Sequence, residues 1–163
     1  YRYSFTLQFR WFVMTIREAK LGDETAILGL IQELATYERE PDAVINTAEQ
    51  LKIDLFIDKV CSAIVVENDQ NKIVGFALYY ISYSTWKGRC LYLEDFYVQP
   101  SERRGGIGQR LFDEVVAIAK ELKVRRMDWQ VLEWNELALS FYKKQDAILD
   151  PEWVNGRLFF DFD

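Results

Sequence analysis

Three runs rich in Val, Ile, Tyr and Phe follow one another closely: Val60–Glu67, Lys72–Ser84 and Cys90–Val98. Directly after the last, the apolar period lengthens to that of a helix, with Leu111, Val115, Ile118 and Leu122 in one stripe. This switch predicts antiparallel strands, with a hairpin turn at Asn68-Asp69-Gln70-Asn71, followed by a helix over about 106–122. A strand near Val124–Leu132 then makes a β-α-β unit. Beyond it, the pattern predicts a short helix from Asn135 to about Lys144, with Asn135 as cap and Trp134 and Leu139 as a hydrophobic staple. Arg157–Phe162 reads as a closing strand. Ahead of the β-rich stretch come a strand at about 13–18 and a helix capped by Asp23, whose inner face carries Ile27, Leu30, Ile31, Leu34 and Ala35. A second helix opens on a capping box at Thr47–Gln50. The expected order is β-α-α-β-β-β-α-β-α-β, a mixed α/β fold with no repeat and no linker.

With 163 residues the chain is one domain long. Residues 1–13 are aromatic but broken by Arg2, Gln8 and Arg10, so no export signal is evident; they are expected to be an upstream extension or cloning scar, with 14–163 the working domain. A net charge of −6 and a pI near 4.8 argue against a broad basic face for nucleic acid. No apolar run approaches the roughly 20 residues of a membrane span. A soluble, cytoplasmic protein is expected, with neither nucleic acid nor membrane as partner.

There is no histidine, and Cys61 and Cys90 stand inside apolar runs, so a metal site is not expected. Any general base must be a carboxylate, a tyrosine, a lysine, a cysteine or a water.

Arg103-Arg104-Gly105-Gly106-Ile107-Gly108 places three glycines between a strand and an amphipathic helix. Backbone N–H groups can there surround an anion at the helix's positive end. The spacing is neither the Walker loop nor the dinucleotide fingerprint. Residues 99–126 carry a surplus of three positive charges in an otherwise acidic chain, which suits a polyanionic ligand, although composition alone favours a solvated helix face.

This loop resembles the acetyl-CoA pyrophosphate loop of the Gcn5-related N-acetyltransferases, with pattern Gln/Arg-x-x-Gly-x-Gly/Ala. Leu91–Val98 directly before it, Glu133-Trp134-Asn135 and Phe141-Tyr142-Lys143 after it, and Tyr83–Arg89 resemble the diamine acetyltransferase subgroup, which includes spermidine/spermine and thialysine acetyltransferases. The likeness runs from about Ile16 to Phe159. It implies the GNAT fold, with antiparallel N-terminal strands and a β-α-β unit for acetyl-CoA.

The same resemblance implies site residues. Backbone groups of Phe96, Tyr97 and Val98 would meet the pantetheine arm. Arg103, Arg104, Gly105, Gly106, Ile107, Gly108 and Gln109 would hold the pyrophosphate, and Asn135 would touch the cofactor from a helix start. Tyr37, Glu38, Trp86, Glu94, Asp128, Trp129 and Gln130 would line the amine site. Tyr142 would face the sulfur as the acid and Glu94 would act as the base. A homodimer is implied as well.

The chemistry asks for such groups in its own right. A primary amine, protonated at neutral pH, must lose a proton before it attacks a thioester, and a carboxylate such as Glu94 can attract it and relay that proton through water. A phenol such as Tyr142 can protonate the departing thiolate. Read without the family, Glu94 and Asp95 alternate across a strand and could pair with arginines, and Tyr142 could be a core tyrosine.

The expected activity is direct acetyl transfer from acetyl-CoA to a small primary amine, thialysine- or lysine-like or a diamine or polyamine. The alternatives are an acyl-CoA sensor without turnover, a GNAT acting on a protein amine, or a partner-binding domain. Ser84-Thr85 stands where polyamine-acetylating members carry Asp-Pro, which points toward the thialysine subgroup. Asp146 replaces the family's glycine after the last helix, at a position that often takes positive φ.

Overall fold

A computed structural model describes residues 13–162; the expected extension over residues 1–13 lies outside them but for Val13. Five strands form one sheet in sequence order: β1 (Thr15–Glu18), β2 (Ser62–Glu67), β3 (Ile73–Ser84), β4 (Gly88–Val98) and β5 (Met127–Asp128). The first four pair antiparallel, and β5 runs parallel to β4. The helices are α1 (Glu24–Tyr37), α2 (Ala48–Lys52), α3 (Ile107–Glu121) and α4 (Glu136–Lys143). A π turn over Ile53–Ile57 extends α2, and a short 3-10 turn, Pro100–Glu102, precedes α3. The chain divides into two compact units, one ending at Gln130 and the other starting at Val131.

The β2–β3 turn forms as its side chains dictate. The Asn68 Oδ1 accepts hydrogen bonds from the Gln70 and Lys72 amides, and Asn71 takes positive φ. Neighbouring residues on β4 face opposite sides, so each face collects its own helix. Tyr97, Phe76, Leu78 and Val65 pack with Ile27 and Leu30 of α1. Phe96 points the other way and meets Phe112 of α3 edge-on at 5.9 Å. On α3, Ile107, Leu111, Phe112, Val115 and Ala119 are buried. Gly75 is where β3 and β4 crowd: a Cβ there would lie 3.0 Å from the Tyr97 carbonyl oxygen.

Thr47 caps α2 by accepting from the Gln50 amide, but Gln50 does not complete the box; its side chain reaches Asp54 instead. Asn135 caps α4 through the Ala138 amide. Asp23 stands before α1 without capping it. Its carboxylate accepts from the Lys20 amide and pairs with Arg17 at 2.7 Å, and Arg17 also holds Glu67 at 2.8 Å. The guanidinium outcompetes α1's first amides for that side chain.

Two strand expectations are corrected. The strand over Val124–Leu132 shrinks to Met127–Asp128, because β5 finds register partners only at Leu91 and Tyr92. Arg157–Phe162 forms no strand: Leu158, Phe159, Phe160 and Phe162 are all at least 70% exposed. Alternating apolar residues supply a face, but a strand exists only against a partner edge. Among the described residues no helix is long and apolar enough to cross a membrane.

Candidate functional site

Strand β4 carries or leads into two chemically opposite regions. At its C-terminal end, α3 begins on a loop whose Gly105 and Gly106 have φ of 64° and 75°, and Gly106 occupies the cap position without a capping side chain. No acidic residue falls in the first turn of α3. Added Cβ atoms at Gly105, Gly106 and Gly108 would meet nothing within 4 Å, so the space beside these amides is open. An N-terminus of this kind binds anions by its orphan N–H groups. A pyrophosphate fits this loop.

Arg103 is tied to the strand rather than splayed: its Nε donates to the Val98 carbonyl at 2.7 Å, and its guanidinium lies 5.5 Å from the Tyr97 ring centre. Arg104 is exposed beside it, and the Gln109 side chain donates to Asp113 one turn on.

The ladder decides which β4 backbone groups face outward. The Gln99 amide bonds the Val74 carbonyl, and Phe76 stands opposite Tyr97. In an antiparallel pair hydrogen-bonded residues alternate, so Tyr97 spends its backbone on β3 while Phe96 and Val98 turn theirs to the outer edge. That edge lies beyond the two residues β5 takes up.

Farther back, the β3–β4 register slips: Leu78 stands opposite Asp95, yet Tyr79 stands opposite Leu93. Glu94 is the additional residue of a bulge, and the strict alternation across Glu94-Asp95 is broken. Leu78 belongs to the α1 face, so Asp95 does too. The same face carries Tyr80 and Tyr92, stacked at 5.2 Å, and meets Glu38 at the end of α1. Burial, then Glu94 and Glu38, push the Asp95 carboxyl up to about 7. Burial raises Glu38, and burial followed by Glu94 raises the Tyr80 phenol. Among the described residues no lysine or arginine pairs with Glu38, Glu94 or Asp95. Nor do any three such side chains gather to hold a metal ion. The arrangement is an aromatic-lined acidic end of a sheet face, suited to a cation.

The structure thus sets Glu38 and Glu94 each near enough to act on Asp95, and leaves Tyr37 at the end of α1, 41% exposed. Trp86 stands on the β3–β4 hairpin tip, 82% exposed, where the Ser84 Oγ accepts from the Trp86 and Lys87 amides. Asp128 pairs with Arg126 at 2.8 Å, Trp129 packs edge-on against Phe112 at 5.7 Å, and Gln130 is exposed. In the second unit, Tyr142 is buried on α4 with Phe141 edge-on at 5.5 Å, and Asn135 is buried at its cap. Asp146 takes φ 56°, the conformation expected of the glycine it replaces. Sequence reasoning missed Asp95, Tyr80 and Tyr92. Two adjacent acids inside an otherwise apolar strand were the available signal, and only the register reveals the bulge that uses them.

The acetyltransferase (GNAT) family model matches residues 27–146. The chain is 43% identical to the bovine (Bos taurus) thialysine N-epsilon-acetyltransferase, covering 83% of this chain and 84% of that protein. It is 40% identical to the pig (Sus scrofa) protein of the same name, with 81% and 82% covered. A possible acetyltransferase of solved structure from Clostridium difficile 630 shares the fold at a TM-score of 0.76 and 22% identity, over 91% of this chain and 99% of that one. A glycine-opened helix start reached from a bulged strand thus coincides with a family match across most of the sequence: the chain belongs to the GNAT acetyltransferase family and is an N-acetyltransferase.

Proposed function

We propose that residues 14–163 act as a single cytoplasmic domain that transfers an acetyl group from acetyl-CoA directly to a small primary amine of the thialysine or lysine-like class. The observation that carries this is the succession, along one strand, of acids that no lysine or arginine pairs with among the described residues and a glycine loop open to an anion. Acetyl-CoA, when bound, supplies an acetyl group activated as a thioester. The amides of Ile107, Gly108 and Gln109, with Arg104 beside them, would neutralise its pyrophosphate, and the outward backbone of Phe96 and Val98 would align its arm. Asn135 would steady the cofactor from the start of α4. Glu94 and Glu38 would draw in the ammonium, with Tyr37 and Trp86 bordering it, and a carboxylate would take its proton. Tyr142 would return a proton to the departing thiolate.

The thialysine-like acceptor is favoured by the relatives' names and by Ser84, whose hydroxyl forms the hairpin turn and offers no carboxylate to a second ammonium. A homodimer belongs to the same reading. Ile148, Trp153, Val154, Leu158 and Phe159 are each open to solvent in the single chain, and a partner subunit would cover them.

The test is kcat/KM with acetyl-CoA across thialysine, lysine, ornithine, putrescine, spermidine and a peptide N-terminus. The reading expects thialysine or lysine to lead; a leading polyamine or peptide would replace the acceptor class, and CoA binding without turnover of any amine would leave a sensor. Tyr142→Phe is expected to lower kcat by roughly 10²–10⁴-fold; an unchanged kcat would remove the tyrosine from the chemistry.

A further inference from the structure

Between Val98 and the glycines that open α3 the chain leaves the sheet, and what holds it there decides where the loop amides point. Gln99 is the first residue of that passage and is anchored in three ways. Its amide donates to the Val74 carbonyl of β3 at 2.9 Å, and its carbonyl accepts from the Glu102 amide at 2.9 Å. Its side-chain nitrogen donates to the Glu33 carboxylate of α1, at 3.0 and 3.3 Å from the two oxygens. Farther on, Arg103 is pinned to the Val98 carbonyl and the Tyr97 ring.

Glu33 reaches this passage from outside, on a helix that Ile27 and Leu30 seat against the sheet. Its carboxylate also acts on the buried Tyr97 phenol, which burial and then the Glu33 charge push up while Arg103 opposes them. One exposed side chain of α1 thus acts on both residues that flank Val98. As a charge it works against any polyanion drawn to the glycine loop. What it contributes there is geometry: a passage already fixed in the folded chain does not have to be ordered when the ligand arrives.

We propose that Glu33 is a positioning residue for the cofactor loop: by holding the Gln99 side chain it fixes the start of the passage from β4 to α3, so that the amides of Ile107, Gly108 and Gln109 meet a pyrophosphate without rearrangement. This rests on the reading of that loop as the acetyl-CoA site. Glu33 takes no part in the bond changes of the reaction; its effect passes through Gln99.

The test is the Kd of coenzyme A, measured by titration calorimetry on the full chain. Removing a negative charge by itself favours a polyanion, so a Glu33 that acts only through its charge predicts tighter binding in Glu33→Ala. The positioning role predicts the opposite sign: Glu33→Ala and Gln99→Ala should each weaken coenzyme A by roughly three- to tenfold. Because both break one contact, the double variant should be weaker than either single by no more than about twofold. Exchanging the partners, Glu33→Gln with Gln99→Glu, keeps the net charge and sets a donor opposite a carboxylate again. That exchange should return Kd to within about twofold of wild type. In turnover, KM for acetyl-CoA should rise in Glu33→Ala while kcat at saturation stays within about twofold.

Binding that is unchanged or tighter in Glu33→Ala overturns the proposal. So do effects that multiply in the double variant, or an exchange that restores nothing. Should Glu33→Ala fail to fold, an unchanged Kd in Gln99→Ala overturns it as well. A wild type that binds no coenzyme A overturns the loop reading together with this one, whereas a wild type that binds it, with unaltered affinity in the variants, overturns the role of Glu33 alone.

Discussion

Asp23 is buried and Asp95 half-buried in the same unit, and their carboxyls move in opposite directions. Burial pushes Asp23 up, but the Arg17 guanidinium and the Lys20 amide outweigh it and hold the group below its ordinary range. At Asp95 burial acts unopposed and two further carboxylates add to it. The corner of β1, α1 and β2 encloses its own counter-ion; the bulge on β4 leaves that role open. Burial alone therefore does not fix which way a carboxyl moves. The sign of its neighbours does.

Arg17→Met breaks the comparison most severely, since it turns Asp23 into a second unpaired buried acid. It should cost about 3 kcal/mol in denaturant unfolding at neutral pH. Because the folded value of Asp23 is depressed, its contribution is present above about pH 4 and lost as pH falls through the folded value. The deficit of the variant should therefore narrow below about pH 4. A deficit that is constant with pH would mean that Arg17 acts by packing alone.

Asp95→Asn should have the opposite sign. A carboxyl raised in the folded state binds more protons there than in the unfolded chain, so wild-type stability falls as pH rises from about 4 toward about 7. The variant should be more stable by roughly 1–3 kcal/mol at pH 8 and indistinguishable below about pH 4. Thermal unfolding at the two pH values measures this; a variant less stable at both would remove the contrast.

Just past the C-terminal end of β4 the charge is carried by backbone rather than by side chains, and the expected effect is smallest. Gly106→Ala should cost about 1 kcal/mol, because Ala is forced to a φ of 75°. It should raise the KM for acetyl-CoA while leaving the KM for the amine unchanged. A raised amine KM would show that the glycine loop and the acids of β4 are not independent.

Much of this was legible in sequence because it is local. The Asn68 turn, the Thr47 and Asn135 caps, the stripe of α3 and the glycines before it are set by residues a few positions apart. What was illegible depends on distant partners. Asp23 has the right chemistry for a cap, but Arg17 and Glu67 decide where its carboxylate goes, and Glu67 lies across the sheet. The Arg157–Phe162 pattern is that of a strand, yet no described strand pairs with it. Glu94 was legible as a candidate through family resemblance, whereas Asp95 required knowing that β3 skips a residue against β4.

That skipped residue is also the one place where the strand can shorten without losing its reading frame. Leu78 and Tyr79 are neighbours on β3, and their partners Asp95 and Leu93 are not neighbours on β4, so excising Glu94 would join those partners in regular alternation and leave Phe96 and Tyr97 on the faces they already occupy. Loss of a position from the regularly paired run after Asp95 would instead turn the residues beyond it over, from there to the glycine loop.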